Sequence, residues 1–263
     1  MISSARIEEI FNKYRNNIYR LALSIVRNEK DAEDILQNTL VKIIRKLDTF
    51  RNRSKISTWI YKVTYNESLM YLRKKYRQNR LTGYLSKPQT KEMSGLFVNW
   101  SKLPDEELLE TEFKGRMENA INNMPIKYRM PMLLHHTEKL DLKDSADILR
   151  LKLNSLKTRL HRAYMIMRSE MEDYYKDRQE HSYKRDKKCG IWTNFIYDYA
   201  QGRLGKNRQQ SFKRHISDCS PCRGFLKQYA RAIGITRALQ CQDLPEELRE
   251  KILSFVLKKG RKH

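Results

Sequence analysis

The chain has 263 residues and carries 54 Lys and Arg against 31 Asp and Glu, a formal charge of +23 at neutral pH. This excess of positive charge favours a polyanionic partner, with nucleic acid as the default and a membrane surface as the competing choice. Glycine and proline are scarce, and long periodic segments rich in Leu, Ile, Lys and Arg leave little room for a sheet, so we expect an all-α protein.

Several classes of protein are disfavoured at once. No apolar run approaches the roughly 20 residues that span a bilayer, and the first residues lack the apolar core of a signal peptide, so we expect a cytoplasmic protein. In that compartment the four cysteines are reduced thiols or metal ligands rather than disulfides. The chain has no glycine-rich phosphate-binding loop and no His-x-Glu motif upstream of the cysteines. We therefore expect a binding protein and not an enzyme.

The first two predicted helices form a pair. Residues 1–27 place their apolar side chains on one helical stripe. Asn28 can cap a second helix, whose apolar residues recur as far as Leu47. The first turn of this second helix carries three carboxylates, Asp31, Glu33 and Asp34. Negative charge at this end of a helix interacts favourably with the helix dipole.

A basic loop over residues 51–55 leads to a third helix, predicted to end near Arg77. One of its faces is apolar and the other carries aromatic rings beside cations. Bases stack on rings while Lys and Arg follow phosphates, so this face favours single-stranded nucleic acid. An amphipathic helix with solvated charges is the alternative.

The stretch from Asp31 to Arg77 resembles conserved region 2 of the extracytoplasmic-function sigma factors. The resemblance rests on the acidic motif of residues 31–37, on Phe50-Arg51, Thr58-Trp59-Ile60 and Asn66, and on residues 71–73. Met70 departs from the family, which usually carries an aspartate there. The resemblance implies that core RNA polymerase docks on Asp31, Glu33, Asp34 and Gln37. It implies that the −10 promoter element is bound by Arg51, Asn52, Lys55, Trp59, Tyr61, Lys62, Asn66 and Arg73.

Residues 1–77 would then form the first domain, and a linker follows. The helical period is lost over residues 78–104, where glycine and proline stand among Ser, Thr and Lys. In sigma factors the corresponding linker threads into the polymerase.

A second helical block is predicted over residues 105–174, with Pro125 starting a new helix. Within it, residues 141–149 predict a short helix, residues 150–153 a turn, and Asn154 the cap of a longer basic helix. This order fits a helix-turn-helix, whose second helix enters the major groove. Many helical pairs share the pattern.

Lys157 and residues 159–163 resemble region 4 of the same sigma family. Arg150 and Lys152 depart from it, and Arg150 must adopt a turn geometry that glycine adopts more easily. The resemblance implies that promoter DNA is contacted by Ser155, Lys157, Thr158, Arg159 and Arg162.

After a charged tether over residues 175–188, the cysteines cluster. The spacing His215-x3-Cys219-x2-Cys222 can bring an imidazole and two thiolates onto one metal ion, and Cys189 can complete the set. Four ligands of this type leave no open position, so we expect one structural zinc ion. Ordinary thiols and a surface histidine are the alternative. Residues 189–222 also resemble the zinc-binding anti-sigma domain.

The final domain, residues 189–263, raises two possibilities. A helix predicted after Asp243 has an apolar side that needs a surface to cover. It could contact the sigma domains of the same chain and inhibit them. The domain is also basic, so it could instead add phosphate contacts.

These observations favour a sigma factor that binds core RNA polymerase and promoter DNA, with a zinc-binding domain fused behind it. The main alternative is a metal- or redox-responsive repressor that binds operators through its helix-turn-helix. The acidic turn and the aromatic helix speak against it, since a repressor needs neither a polymerase-docking surface nor a melting surface.

Overall fold

The computed structural model describes residues 4–47, 55–81, 96–99, 111–177, 189–200 and 202–260, and it is helical nearly throughout. The helices in chain order are α1 (Ser4–Val26), α2 (Glu29–Lys46), α3 (Ile56–Leu81), α4 (Thr111–Asn123), α5 (Ile126–Met132), α6 (Leu142–Ile148), α7 (Leu153–Asp177), α8 (Gly190–Ala200), α9 (Lys206–Asp218), α10 (Ser220–Arg237) and α11 (Glu246–Gly260). A π-helical turn covers Leu133–Thr137, and two short strands, β1 (Leu96–Val98) and β2 (Leu239–Cys241), pair with each other. The predicted all-α class is confirmed. Among the described helices none has the length and apolarity to cross a membrane.

The chain divides into two compact units. Unit 1 contains Met1–Phe97, Glu138–Leu153 and Gln240–His263. Unit 2 contains Val98–Thr137 and Asn154–Leu239. Each unit therefore combines segments that are distant in the sequence.

The core of unit 1 is formed by α1, α2 and α3. Phe11, Ile18 and Leu36 are completely buried in it. Asn28 caps α2 as predicted, because its side chain accepts a hydrogen bond from the Asp31 amide at 2.9 Å. This cap satisfies one amide that the first helical turn would otherwise leave free.

Helix α11 adds its apolar side to the same core. Leu244, Ile252 and Val256 belong to the cluster formed by α1 and α2, so the surface that this helix was expected to need lies within unit 1. The predicted helix after Asp243 begins at Glu246, and the Asp243 carboxylate accepts a hydrogen bond from Arg20 at 3.0 Å.

The segment around α6 begins and ends as its sequence indicates. Asp141 caps α6, with its side chain accepting from the Asp144 amide at 2.6 Å. Arg150 has φ +54°, the left-handed geometry expected where the family favours glycine. Helix α7 begins at Leu153, so Asn154 lies in its first turn and is not the predicted cap.

Unit 2 is built around α7. Leu160, Tyr164 and Met167 are completely buried there, together with Phe113 of α4 and Tyr229 of α10. Helices α8 and α9 are joined through Gly202, whose φ of +66° is a conformation that glycine adopts without strain.

Candidate functional site

The acidic first turn of α2 contains two kinds of carboxylate. Asp31 is only 9% exposed, and its two oxygens accept hydrogen bonds from the Tyr71 hydroxyl and the Lys75 ammonium, both at 2.6 Å. Burial, followed by the bond to Asp31, raises the pKa of Tyr71. Asp31 therefore ties α2 to α3.

The other predicted polymerase-binding residues lie nearer to solvent. Asp34 is exposed, whereas Glu33 and Gln37 are half-buried. Glu33 accepts a hydrogen bond from Gln37 at 3.2 Å and lies 3.6 Å from the ammonium of Lys251 on α11. A groove of about 1120 Å³ between α2 and α3 runs beside this turn and includes Asp34 and the exposed Met70.

The cations of α3 are partly neutralised within unit 1. Lys55 lies 3.0 Å from a carboxylate oxygen of Asp144, and Lys62 lies 2.9 Å from one of Asp147. The hydrogen bond to Asp144 is the main cause that raises the pKa of Lys55. Arg51 and Asn52, the predicted loop contacts, lie outside the described residues.

Tyr61 is buried and does not stand on an open face. It is 4% exposed, accepts a hydrogen bond from Asn17 at 2.7 Å and donates one to Glu138 at 2.5 Å. Burial first, and the negative charge of Glu138 second, raise the pKa of Tyr61. The ring was expected to be accessible to a base, and Glu138 from a distant part of the sequence covers it.

The remaining predicted contacts on α3 differ in exposure. Trp59 is half-buried and packs against the core cluster of unit 1. Asn66 is half-buried and Arg73 is exposed. Arg73 also lines the groove beside α2.

The predicted recognition residues of α7 share an accessible face. Ser155, Thr158 and Arg162 are exposed, and Lys157 and Arg159 are half-buried. The Arg162 guanidinium donates a hydrogen bond to the Tyr128 hydroxyl at 3.1 Å. This face can present its cations and hydroxyls to DNA, because the buried side of α7 is occupied by apolar residues such as Leu160.

Helix α10 packs against the buried side of α7. The imidazole of His161 lies 2.8 Å from the Tyr229 hydroxyl, and burial lowers the pKa of His161. The Arg168 guanidinium lies 4.1 Å from the centre of the Phe225 ring, a cation–π distance. Aromatic side chains therefore hold these two helices together.

The four predicted metal ligands come together at one end of α9. Ligand atoms of Cys189, His215, Cys219 and Cys222 all lie within 4.8 Å of one another. Helix α9 carries His215 and ends at Cys219, and α10 starts immediately after it with Pro221 in its first turn, so Cys222 faces back toward the same point. Trp192 of α8 stacks on His215, with ring centres 4.8 Å apart and an interplanar angle of 12°.

The geometry of this cluster fits a zinc ion. Zn–S bonds of about 2.3 Å in a tetrahedron place two sulfur atoms about 3.8 Å apart, and the sulfurs of Cys189 and Cys219 are separated by 3.7 Å. The Nε2 atom of His215 is buried and makes no hydrogen bond among the described residues, as expected for a nitrogen reserved for a metal. Burial is the largest influence on Cys219 and opposes its ionisation, but hydrogen bonds from Cys222 and Cys189 and the charge of Arg223 together lower the pKa of Cys219. Burial raises the pKa of Cys222 to about 12.

Sequence reasoning missed the acids that contact α3. Glu138, Asp141, Asp144 and Asp147 stand at every third position, and this regular spacing is the only signal that could have indicated a shared role. Their partners lie more than 70 residues earlier in the chain, and single-sequence periodicity contains no information about such a pairing.

Comparison with known proteins identifies two regions. The family described as Sigma-70 region 2 matches residues 10–78, and Sigma-70, region 4 matches residues 114–167. The chain is 27% identical to the ECF RNA polymerase sigma factor SigW of Bacillus subtilis, over 63% of this chain and 88% of that protein. It is 28% identical to the RNA polymerase sigma factor SigV of the same organism, over 60% of this chain and 86% of that protein. A solved chain, the sigma factor RpoE in complex with the anti-sigma factor NepR from Bartonella quintana, aligns with a TM-score of 0.49 and 20% identity over 63% of this chain and 96% of that one.

Proposed function

Because this chain belongs to the extracytoplasmic-function branch of the sigma-70 family and directs promoter-specific initiation by RNA polymerase, we propose specific roles for its surfaces. The observation that supports them is that both matched regions coincide with the helices carrying the predicted contacts, α2 and α3 for region 2 and α7 for region 4. The protein is a non-enzymatic initiation factor, and a repressor that never touches polymerase is not favoured. A factor acting on chromosomal promoters works in the cytoplasm.

The first role is docking of core polymerase on Asp31, Glu33, Asp34 and Gln37. Asp34 is the best probe, because it is exposed whereas Asp31 supports the fold through Tyr71 and Lys75. Asp34→Lys should weaken the complex with core polymerase in a pull-down. Glu8→Lys, an exposed reversal on α1, is the matched control and should leave it intact. Equal recovery of polymerase by both variants would refute the docking role.

The second role is promoter recognition. We assign the −10 element to Arg51, Asn52, Lys55, Trp59, Tyr61, Lys62, Asn66 and Arg73, and the −35 element to the accessible face of α7. A base-reading Arg159 or Arg162 would carry about 1–3 kcal/mol of discrimination, whereas a phosphate contact would lower affinity for all sequences alike. Footprints of the two alanine variants on −35 mutants separate these cases. Unchanged affinity and specificity in both would remove α7 from the interface.

The third role is a structural zinc ion held by Cys189, His215, Cys219 and Cys222. When bound, zinc would supply a closed four-coordinate crosslink with no position for substrate. The ion would join the start of α8 to the junction of α9 and α10. The chemistry of the donor set supports this role.

The fourth role is regulation within the same chain. Helix α11 covers apolar side chains of α1 and α2, and its Lys251 approaches Glu33, one of the proposed polymerase contacts. A tethered element acts at high effective concentration, so even a weak contact can compete with polymerase. Exposed cations on α9, including Lys206, Lys213 and Arg214, favour the competing possibility that the C-terminal segment aids DNA binding.

Truncation after Asp177 distinguishes the two possibilities. Stronger promoter-directed transcription by the truncated chain supports inhibition, and weaker transcription supports a DNA-binding aid. We propose that these roles are divided among five segments of the chain: residues 1–77, 78–104, 105–174, 175–188 and 189–263.

A further inference from the structure

Four carboxylates stand at every third position from Glu138, just before α6, to Asp147 near its end. We call Glu138, Asp141, Asp144 and Asp147 the acidic row. All four belong to unit 1, together with α1 and α3, although α7 belongs to unit 2 from Asn154 onward. The acidic row therefore belongs to the same compact unit as the region 2 helices.

Each member of the acidic row contacts a residue of α1, of α3 or Lys55 just before α3. Glu138 accepts the Tyr61 hydroxyl at 2.5 Å and lies 3.4 Å from the Arg20 guanidinium. Lys55 lies between Asp144 at 3.0 Å and Asp141 at 3.7 Å. Lys62 meets Asp147 at 2.9 Å. The partners Lys55, Tyr61 and Lys62 are three of the residues assigned above to the −10 element.

The chemical groups that the acidic row presents resemble those of a nucleic-acid strand. A single strand presents a succession of anionic groups, which lysines follow, beside bases that stack on aromatic rings. The acidic row presents a succession of carboxylates to Lys55 and Lys62, and it covers the buried ring of Tyr61. The row thus satisfies three of the groups assigned to the −10 element, Lys55, Tyr61 and Lys62.

We propose that the acidic row is an intramolecular mimic of the promoter strand, which occupies the −10 surface of α3 until DNA displaces it. This inference rests on the proposed role of Lys55, Tyr61 and Lys62 in −10 binding. The segment of residues 138–153 must then move away from α3 before the duplex can be opened.

The exposure of these ion pairs makes such an exchange feasible. The Lys55 side chain is 69% exposed and that of Asp147 54% exposed, so solvent screens the pairs and each one stabilises the closed arrangement only weakly. DNA offers a higher density of charge and gains from counterion release, so it can compete. Glu138 differs, because its side chain is only 3% exposed. Its contacts with Arg20 and Tyr61 resist the exchange, so DNA displaces Asp144 and Asp147 first.

Asp144 and Asp147 are the residues to change. Asp141 must stay, because it caps α6. The test variant is Asp144→Asn with Asp147→Asn in the full-length chain. The matched control is Glu8→Gln with Glu247→Gln, which removes the same charge from exposed positions of unit 1. Circular dichroism checks that both variants keep their helical content.

The measurement is fluorescence anisotropy of the free chain on a labelled mixed-sequence single-stranded oligonucleotide at physiological salt. We expect the test variant to bind about threefold more tightly than the control variant, since two cations become available to phosphates. Adding Lys55→Ala and Lys62→Ala to the test variant should abolish the gain. No gain over the control, or a gain that survives loss of both lysines, would overturn the mimic.

A separate measurement tests the −10 assignment of Lys55 and Lys62 independently of the mimic. Lys55→Ala with Lys62→Ala, in an otherwise native chain bound to core polymerase, should lower the permanganate reactivity of promoter thymines. If reactivity is unchanged, the −10 assignment fails and the mimic fails with it. If reactivity falls while the anisotropy gain is missing, the assignment stands and the mimic alone is wrong.

Discussion

The two helices proposed to bind DNA differ in what surrounds their contact residues. Lys55, immediately before α3, and Lys62 of α3 face carboxylates of the acidic row, and the Tyr61 ring is covered. Helix α7 presents its recognition residues on an accessible face and is held from behind by aromatic contacts with α10. The surface proposed to open DNA is thus restrained by charge, whereas the surface proposed to recognise duplex DNA is fixed by packing.

This difference has an energetic meaning. Exposed ion pairs contribute about 0.2–1 kcal/mol each and weaken with salt. Removing a buried aromatic side chain costs about 3–5 kcal/mol. A restraint made of exposed charges can be exchanged for another polyanion, and one made of buried rings persists. The contrast suits a protein whose melting surface is needed only once the promoter has been found.

The largest effect is expected from disrupting the metal cluster of unit 2, the unit in which α7 is fixed by packing. Cys219→Ser should eliminate stoichiometric zinc and release α8 to α10, because structural zinc contributes apparent binding energies of about 10–16 kcal/mol in small domains. Cys241→Ser is the matched control, since the thiol of Cys241 lies outside the cluster. Metal analysis of protein purified under reducing conditions checks both variants. A wild-type protein without zinc would rule out the metal site.

A smaller effect is expected from Tyr229, which connects α10 to α7. Tyr229→Ala should lower the local opening free energy of α7 and α10 by about 3–5 kcal/mol, since the ring is completely buried. Tyr229→Phe removes only the hydroxyl bonded to His161 and should cost about 0.5–1.5 kcal/mol. Hydrogen exchange of peptides from both helices measures the difference. Equal losses for the two substitutions would mean that the ring is not what fixes α7.

The local features of the fold were accessible from the sequence. Asn28 was identified as a helix cap, the unusual turn at Arg150 was expected, and the four metal-ligand candidates were found by their pattern in the sequence. Each of these features depends on residues within one or two turns of each other or on a known ligand pattern. Short-range chemistry is sufficient to predict them.

The features that were missed depend on pairing between distant segments. The burial of Tyr61 requires Glu138, and the docking of α11 requires apolar side chains of α1 and α2. Periodicity showed that α11 has an apolar side, and it could not show which surface that side covers. The same limit explains why three members of the acidic row were predicted only as part of the short helix 141–149, and why Glu138 was not singled out.

The smallest effect is expected from the exposed ion pairs between α3 and the acidic row. A double-mutant cycle on Lys62 and Asp147, each changed to alanine, should give a coupling energy of about 0.2–1 kcal/mol that decreases as salt is added. Hydrogen exchange of α6 peptides reports it locally. A coupling well above this range, or one insensitive to salt, would mean that α6 is held to α3 as firmly as α10 is held to α7.

The most direct test is whether the two lysines of α3 are restrained by the acidic row in solution. Lysine labelling followed by mass spectrometry compares the free wild-type chain with the Asp144→Asn, Asp147→Asn variant, and Lys157 on the accessible face of α7 serves as an internal reference. We expect Lys55 and Lys62 to react faster in the variant while Lys157 reacts at the same rate in both proteins. Identical rates at Lys55 and Lys62 in the two proteins would contradict the charge-held state of α3.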